Sequence, residues 1–146
     1  MRHHLILRVI TKTLVGTIML FAFYVQFHGD YSPGGGFQAG VILAVAFILY
    51  GLIFSVETLE QVAPPWLVHR AMALGLLIYI GTGLISLVSG YNFLDYTALS
   101  PHEPEHGQEL GILLVEGGVG ITVTAVMLSI YYAFVGRAPI ISDEEW

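Results

Sequence analysis

Four long stretches of the chain are almost continuously apolar, and they predict its fold. They cover residues 5–27, 37–56, 71–89 and 110–135. A bilayer core roughly 30 Å thick is crossed by about 20 apolar residues in a helix. Unpaired backbone groups are costly in lipid, and the stretches are too long for the roughly ten-residue strands of a membrane barrel, so each is predicted to be a helix. The pattern predicts an all-α integral membrane protein, with residues 1–146 forming a single four-helix domain.

The basic residues all fall toward the same predicted side of the membrane. They lie in the N-terminal segment, in the connection between the second and third stretches and in the C-terminal tail: Arg2, Arg8, Lys12, Arg70 and Arg137. Short cytoplasmic segments carry Lys and Arg more readily than translocated ones. Both termini are therefore predicted to be cytoplasmic. The connections 28–36 and 90–109, the second of which is acidic, are predicted to be extracytoplasmic.

Composition supports lipid as the main solvent and excludes several function classes. Hydrophobic residues make up 55% of the chain and charged residues only 11%, whereas soluble domains have about 25% charged residues. The absence of cysteine removes disulfide and thiolate chemistry. The formal net charge of -6 leaves no basic surface for nucleic acid, so no nucleic-acid partner is expected.

A glycine-rich segment, "HGDYSPGGGFQAG" at 28–40, separates the first two predicted helices. It contains a proline and a run of three glycines: Pro33, Gly34, Gly35 and Gly36. One interpretation is a tight turn with close helix packing, because Gly36 and Gly40 have the small-xxx-small spacing. The other is a re-entrant loop whose backbone lines an ion site. A phosphate-binding loop is excluded, because no Lys follows the glycines.

Glu116 is the one carboxylate inside the fourth apolar stretch. An ionisable group within a membrane helix is by default a functional hypothesis. Gly120 and Thr124 follow at i+4 and i+8, so the three residues are expected to form one small, polar face. Two interpretations stay open: a group that handles protons or cations, or a structural carboxylate hydrogen-bonded between helices.

Two other features carry weaker hypotheses. Lys12 lies in the first stretch; it is expected to extend toward the cytoplasmic interface, with a role in cation conduction as the alternative. The sequence "HEPEH" at 102–106 matches the H-E-x-x-H zinc pattern, but Pro104 between the histidines does not suit a helix interior. No catalytic residue and no metal site are therefore predicted. Asp95 and the neighbouring glutamates are expected to form a solvated acidic surface that enriches cations.

Three segments together resemble the B subunit of Mrp-type multisubunit cation/proton antiporters. They are "SPGGGFQAG", "NFLDY" and "VEGGVGITV", and the resemblance extends over nearly the whole chain. The positions that match the family pattern are Pro33, Gly34, Gly35, Gly36, Phe37, Asp95 and Glu116. The chain departs from the pattern at "HGD", where relatives often have Gly-His, so no role is carried over for His28 or Asp30.

The resemblance implies a membrane subunit that works with partner subunits A, C, D, E, F and G. It implies exchange of sodium for protons across a bacterial plasma membrane, with sodium efflux and pH homeostasis as the outcome and no cofactor. The chain has no room for the paired broken helices and buried lysines of the large subunits, which is consistent with an accessory role. The alternative is a stand-alone, homo-oligomeric ion channel or transporter.

Within this interpretation, the candidate residues fall into two groups. The candidates for an ion pathway are Glu116, Thr124, Lys12 and Asp95. The candidates for the turn and for helix packing are Pro33, Gly34, Gly35, Gly36, Phe37, Gly40 and Gly120.

Overall fold

A computed structural model describes residues 5–29 and 34–137, and this part of the chain is helical with no strands. Its elements are α1 (Leu5–Phe27), α2 (Gly36–Phe54), α3 (Val56–Val62), α4 (Pro65–Val88), a 3-10 helix (Tyr96–Leu99) and α5 (Pro104–Val135). The four longer helices, α1, α2, α4 and α5, have the length and apolarity to cross a membrane. The predicted fold class, an all-α protein with four membrane helices, is confirmed.

The second apolar stretch ends earlier than predicted. The sequence predicted a helix to residue 56, whereas α2 ends at Phe54. Ser55 has φ 111, a backbone conformation that a residue with a Cβ rarely adopts, and this interrupts the helix. The Ser55 hydroxyl oxygen then accepts a hydrogen bond from the backbone N–H of Thr58 at 3.4 Å, which caps the short α3.

The last two membrane helices begin earlier than their apolar stretches. α4 begins at Pro65 instead of 71, and α5 begins at Pro104 instead of 110. Proline suits the first turn of a helix, where its missing N–H has no intrahelical partner. The apolar pattern marks only the length of each helix that crosses the lipid, and the helix itself can extend further. The segment 90–109 is consequently not one acidic loop, since it contains the 3-10 helix and the start of α5.

The helices form two antiparallel hairpins that pack through their second members. α1 packs mainly on α2, α4 packs on α5, and α2 packs on α5. α1 touches α5 only lightly, and α1 and α4 share at most a marginal contact. The α2–α5 interface therefore joins the two halves of the bundle.

The two hairpins are displaced relative to each other along the helix axes. Gly36, the first residue of α2, lies against the backbone of Glu116. At 1.5 Å per residue, Glu116 is about 18 Å along α5 from Pro104. The turn between α1 and α2 therefore lies beside the middle of the α4–α5 hairpin and not at its end.

A small apolar core forms at the opposite end of α2. Its buried members are Leu59, Ala63, Val68, Ala125 and Leu128. The Tyr132 hydroxyl donates a hydrogen bond to the Ala63 carbonyl at 2.7 Å. This region, called here the α3 core, fixes α3 and the start of α4 against α5.

Candidate functional site

The carboxylate of Glu116 lies in a pocket made by glycine backbone. A methyl group placed on Gly29 would be 3.0 Å from both carboxylate oxygens, and one on Gly35 would be 2.9 Å from Oε1. Gly35 has φ 118, a conformation that glycine adopts readily. Larger residues at these two positions would displace the carboxylate. This arrangement, called here the glycine cradle, consists of Gly29, Gly34, Gly35, Gly36 and Glu116.

Close packing of α2 against α5 continues from the cradle toward Gly40 and Gly120. A methyl group on Gly36 would overlap the Glu116 carbonyl, and one on Gly40 would be 2.7 Å from the Gly120 carbonyl oxygen. The backbones of α2 and α5 are thus in contact over about one helical turn. Gly40 of α2 thus meets Gly120 of α5, a pairing that the sequence did not specify.

The other glycines of the turn hold α2 to the end of α1. The Gly35 N–H donates a hydrogen bond to the Val25 carbonyl at 3.3 Å. A methyl group on Gly34 would be 3.0 Å from the same oxygen. Phe37 is 61% exposed within this chain, so its predicted packing role stays a prediction. α2 begins at Gly36, the last glycine of the turn.

Both interpretations of the turn retain support from part of this geometry. The glycines pack closely, as the tight-turn hypothesis requires, and two of them, Gly29 and Gly35, lie beside the carboxylate of a membrane helix, as the re-entrant hypothesis requires. Residues 30–33, including Pro33 and Asp30, lie outside the described residues. The re-entrant path therefore stays a prediction.

Thr124 extends the polar face of α5 one turn beyond Gly120. Its hydroxyl is positioned to donate to the Gly40 carbonyl at 3.1 Å and to the Gly120 carbonyl at 2.8 Å. The residue is buried. The hydroxyl has one hydrogen to share between these two carbonyl oxygens. Lone pairs on the hydroxyl and carbonyl oxygens therefore remain unused beside Thr124. Glu116, Gly120 and Thr124 lie on one face toward α2, as the spacing predicted.

Gln26 belongs to the same region and was missed by the sequence interpretation. Its Oε1 would be 2.6 Å from a methyl group on Gly120. Its Nε2 is buried and has no hydrogen-bond partner among the described residues. The available signal was one amide side chain near the end of an otherwise apolar run, and only the fold shows that it faces α5.

The remaining pathway candidates lie elsewhere. The Lys12 Nζ is 5.8 Å from the centre of the Phe54 ring, and Arg8 is 5.2 Å from the same ring. Phe54 is the last residue of α2, so Lys12 lies at the end of that helix opposite the cradle. Asp95 caps the 3-10 helix, because its Oδ1 accepts from the Thr97 N–H at 3.2 Å. The structure does not bring either residue to Glu116.

The connection between α4 and α5 folds back onto the end of that hairpin. The Tyr96 ring packs against Gly111, and the Phe93 ring packs against Gly83. Burial raises the pKa of the Tyr96 phenol, and nearby Tyr79 raises it further. The Tyr96 phenol is therefore neutral at physiological pH, and its ring serves to hold the connection in place.

The histidine pattern at 102–106 does not assemble a metal site. Pro104 occupies the first turn of α5, while His102 precedes the helix. His106 Nδ1 is 3.8 Å from Glu109 Oε2, and both side chains are well exposed. Within residues 5–29 and 34–137 no three His, Asp or Glu side chains are placed to hold one metal ion.

The fold and the cradle define a multi-pass membrane protein in which the carboxylate of one membrane helix lies against glycine backbone. A family model described as a domain related to the MnhB subunit of Na+/H+ antiporters matches residues 6–129. That match covers most of the chain. The chain therefore belongs to the family of MnhB-related antiporter subunits.

Individual relatives agree with this assignment. A Staphylococcus haemolyticus protein provisionally named antiporter subunit mnhB2 is 37% identical over 134 residues, which covers 90% of this chain and 94% of the relative. A Staphylococcus epidermidis protein of the same name is 38% identical, with 86% of this chain and 92% of the relative covered. A Staphylococcus aureus protein of that name is also 38% identical, with coverages of 81% and 89%. The stand-alone channel is consequently not favoured.

Proposed function

We propose that this chain is a membrane subunit of a multisubunit Na+/H+ antiporter and that its glycine cradle lines a cation passage. The observation that carries the proposal is the Glu116 carboxylate, which belongs to a membrane helix and lies against the backbone of Gly29 and Gly35. Family membership supports the antiporter assignment. The geometry of the cradle supports Glu116 as the position of the ion-handling role within this chain.

The chemistry of the cradle suits a small cation or a proton. A carboxylate binds either one, and oxygen ligands are those that hard cations prefer. Glycines next to it place backbone in contact with the carboxylate, where side chains would otherwise fill the space. Two turns further along α5 from Glu116, the Thr124 hydroxyl and the Gly40 carbonyl add oxygen atoms to the α2–α5 interface.

The position of the cradle also suits a passage. Because the α1–α2 turn lies beside the middle of the α4–α5 hairpin, irregular backbone is covered on one side by protein. We infer that the turn faces the outer side of a bacterial plasma membrane and that both termini are cytoplasmic. The complex then exchanges external protons for internal sodium, with sodium efflux and pH homeostasis as its outcome.

The proposed partners are the other subunits of the same antiporter, A, C, D, E, F and G. The large subunits combine buried lysines with a glutamate, whereas in this chain Lys12 lies far from Glu116. We therefore propose that the chain forms part of the wall of a cation passage and is not an independent pump. No cofactor is required for ion exchange along such a wall.

The proposal is tested by replacing Glu116 with Gln in the assembled complex. The change keeps the size of the side chain and removes its charge and its proton-binding site. We expect sodium/proton exchange in everted membrane vesicles to fall by about a hundredfold or more, the lower end of the range that loss of a positioned acid–base group produces. Complex assembly, measured on native gels, should be unchanged.

Glu109→Gln is the matched control. Glu109 lies on the same helix, and its side chain is 75% exposed. The same chemical change at that position should leave exchange near the wild-type rate. If Glu116→Gln complexes assemble fully and exchange as fast as the control, the ion-handling role of the cradle is wrong.

A further inference from the structure

Two cations of α1 lie on one aromatic ring, at the end of α2 opposite the cradle. The Arg8 guanidinium is 5.2 Å and the Lys12 ammonium 5.8 Å from the centre of the Phe54 ring. Phe54 is only 8% exposed, whereas both cationic residues are exposed. The ring attracts each cation through its face. It therefore holds Arg8 and Lys12, called here the cation pair, together at the surface of the bundle.

The cation pair lacks a carboxylate partner among the described residues. Arg8 and Lys12 are at i and i+4 of α1, and like charges at this spacing repel each other. Within residues 5–29 and 34–137 neither cation lies within 4 Å of a carboxylate; the ion pair in that part of the chain joins His106 to Glu109. An anion bound between Arg8 and Lys12 would remove this repulsion.

The cation pair lies at the level where α2 ends. Phe54 is the last residue of α2, and after Ser55 the chain continues into the short α3. Because α3 carries Glu57 and Glu60, the hydrocarbon region ends near this point. Lipid phosphates lie in the polar layer next to the hydrocarbon. Basic pockets between membrane helices at this level bind anionic lipid head groups.

An apolar surface continues from the cation pair along α1. Gly16 follows Lys12 at i+4, and Leu20 follows Gly16 at the same spacing, so the three residues lie along one flank of the helix. A methyl group placed on Gly16 would have no atom within 4 Å. Leu20 is 73% exposed. The flank therefore has two cations at the interface and open apolar surface on the hydrocarbon side.

We propose that Arg8 and Lys12 bind the phosphate of an anionic phospholipid whose acyl chain lies over Gly16 and Leu20. Guanidinium and ammonium groups both donate strong, charge-assisted hydrogen bonds to phosphate oxygens. A zwitterionic phospholipid is a poorer match, because the amine of its own head group already neutralises the phosphate. This inference goes beyond the proposed function and does not depend on it, since it concerns the lipid contacts of this chain.

The first test measures phosphatidylglycerol binding by native mass spectrometry, with the full chain and its bound partners purified in mild detergent. Each basic residue beside an anionic head group strengthens binding about fivefold. The double change of Arg8→Gln and Lys12→Gln should therefore weaken the tightest lipid site about thirtyfold. Phosphatidylcholine should not compete for this site. Inorganic phosphate at the same concentration should not displace the lipid, because it lacks an acyl chain.

Arg70→Gln is the matched control for the double change. Arg70 is also exposed and lies over an aromatic ring, 4.9 Å from the centre of Trp66, where the described part of the chain places no second cation. The control should bind phosphatidylglycerol as wild type does. A second variant exchanges the two cations, with Arg8→Lys and Lys12→Arg. It should retain the lipid, because both positive charges remain.

The second test identifies the occupant directly. Because the chain has no native cysteine, Gly16→Cys is the one site in it that a photoreactive benzophenone can label. The labelled protein is placed in vesicles of equal parts phosphatidylglycerol and phosphatidylcholine. We expect the cross-linked product to contain more phosphatidylglycerol than phosphatidylcholine. The double change of Arg8 and Lys12 should remove this excess.

Several results would overturn the proposal. These are equal phosphatidylglycerol affinity for wild type and the double variant, equal loss with Arg70→Gln, and displacement of the lipid by inorganic phosphate. A cross-link from Gly16→Cys to a peptide, either of this chain or of a partner subunit, would also overturn it. If the double variant does not accumulate in the membrane, the exchanged-cation variant decides: retention of the lipid supports the proposal, and its loss contradicts it.

Discussion

The two ends of α2 are held in place by different kinds of packing. At the glycine cradle, α2 meets α5 through backbone atoms, and the carbonyl of Glu116 lies where a side chain on Gly36 would be. At the α3 core, contact is made by apolar side chains such as Leu59 and Leu128. Backbone contact cannot adjust to added volume, whereas side chains can change rotamer. The cradle end should therefore be much less tolerant of substitution.

The largest effect is expected for Gly36→Ala. The added methyl group overlaps the Glu116 carbonyl, so α2 and α5 must separate along their shared interface. We expect destabilisation of about 3 kcal/mol, at the upper end of the overpacking range. The measurement is the thermal transition of the purified complex in mild detergent.

Gly81→Ala is the control for this change. The space beside Gly81 is open, and alanine is the better helix former by roughly 0.5–1 kcal/mol. The control should be neutral or slightly stabilising. Equal stability of the two variants would show that backbone contact does not determine packing at the cradle.

A smaller effect is expected at the α3 core for Leu59→Ala. Leu59 is fully buried, and its removal leaves a cavity among Ala63, Val68 and Leu128. Leu→Ala changes in cores cost about 2–5 kcal/mol, and we expect the lower end because neighbouring side chains can move into the space. The same thermal transition provides the measurement. A loss larger than that of Gly36→Ala would reverse the ranking of the two ends.

The smallest effect is expected for Tyr132→Phe. The change removes the hydrogen bond from the Tyr132 hydroxyl to the Ala63 carbonyl, which is 2.7 Å long. Loss of one such bond costs about 1 kcal/mol. Ala63 lies just before Pro65, so the start of α4 should become more open to hydrogen exchange. Unchanged exchange at residues 63–68 would mean that apolar contacts alone fix this junction.

Prediction from the sequence worked best for the membrane helices, because lipid requires long apolar segments that satisfy their own backbone hydrogen bonds. α1 was predicted with the bounds that it has, because its apolar run coincides with the helix. The i, i+4, i+8 spacing correctly placed Glu116, Gly120 and Thr124 on one face. The start of α4 was missed because His69 and Arg70 interrupt its apolar run, and the start of α5 was missed because its first six residues, 104–109, are mostly polar.

The site was only partly predictable for a related reason. Hydropathy singled out Glu116 as an unusual charge, and glycine content singled out the turn, but neither indicates that the two meet. Gln26 carries no charge and breaks no pattern strongly, so it was overlooked. Phe37 was grouped with the packing residues because it adjoins the glycines, and its side chain is 61% exposed within this chain.

By itself, the sequence determined that this protein has four membrane helices, since about 20 apolar residues in lipid must satisfy their own backbone hydrogen bonds. It also determined which residues are unusual enough to matter. Only the tertiary structure decided that the α1–α2 hairpin is displaced beside the middle of α4–α5, which brings glycine backbone to the Glu116 carboxylate. The reason is that the depth and pairing of helices depend on which small surfaces fit each other, and apolar periodicity carries no information about that fit.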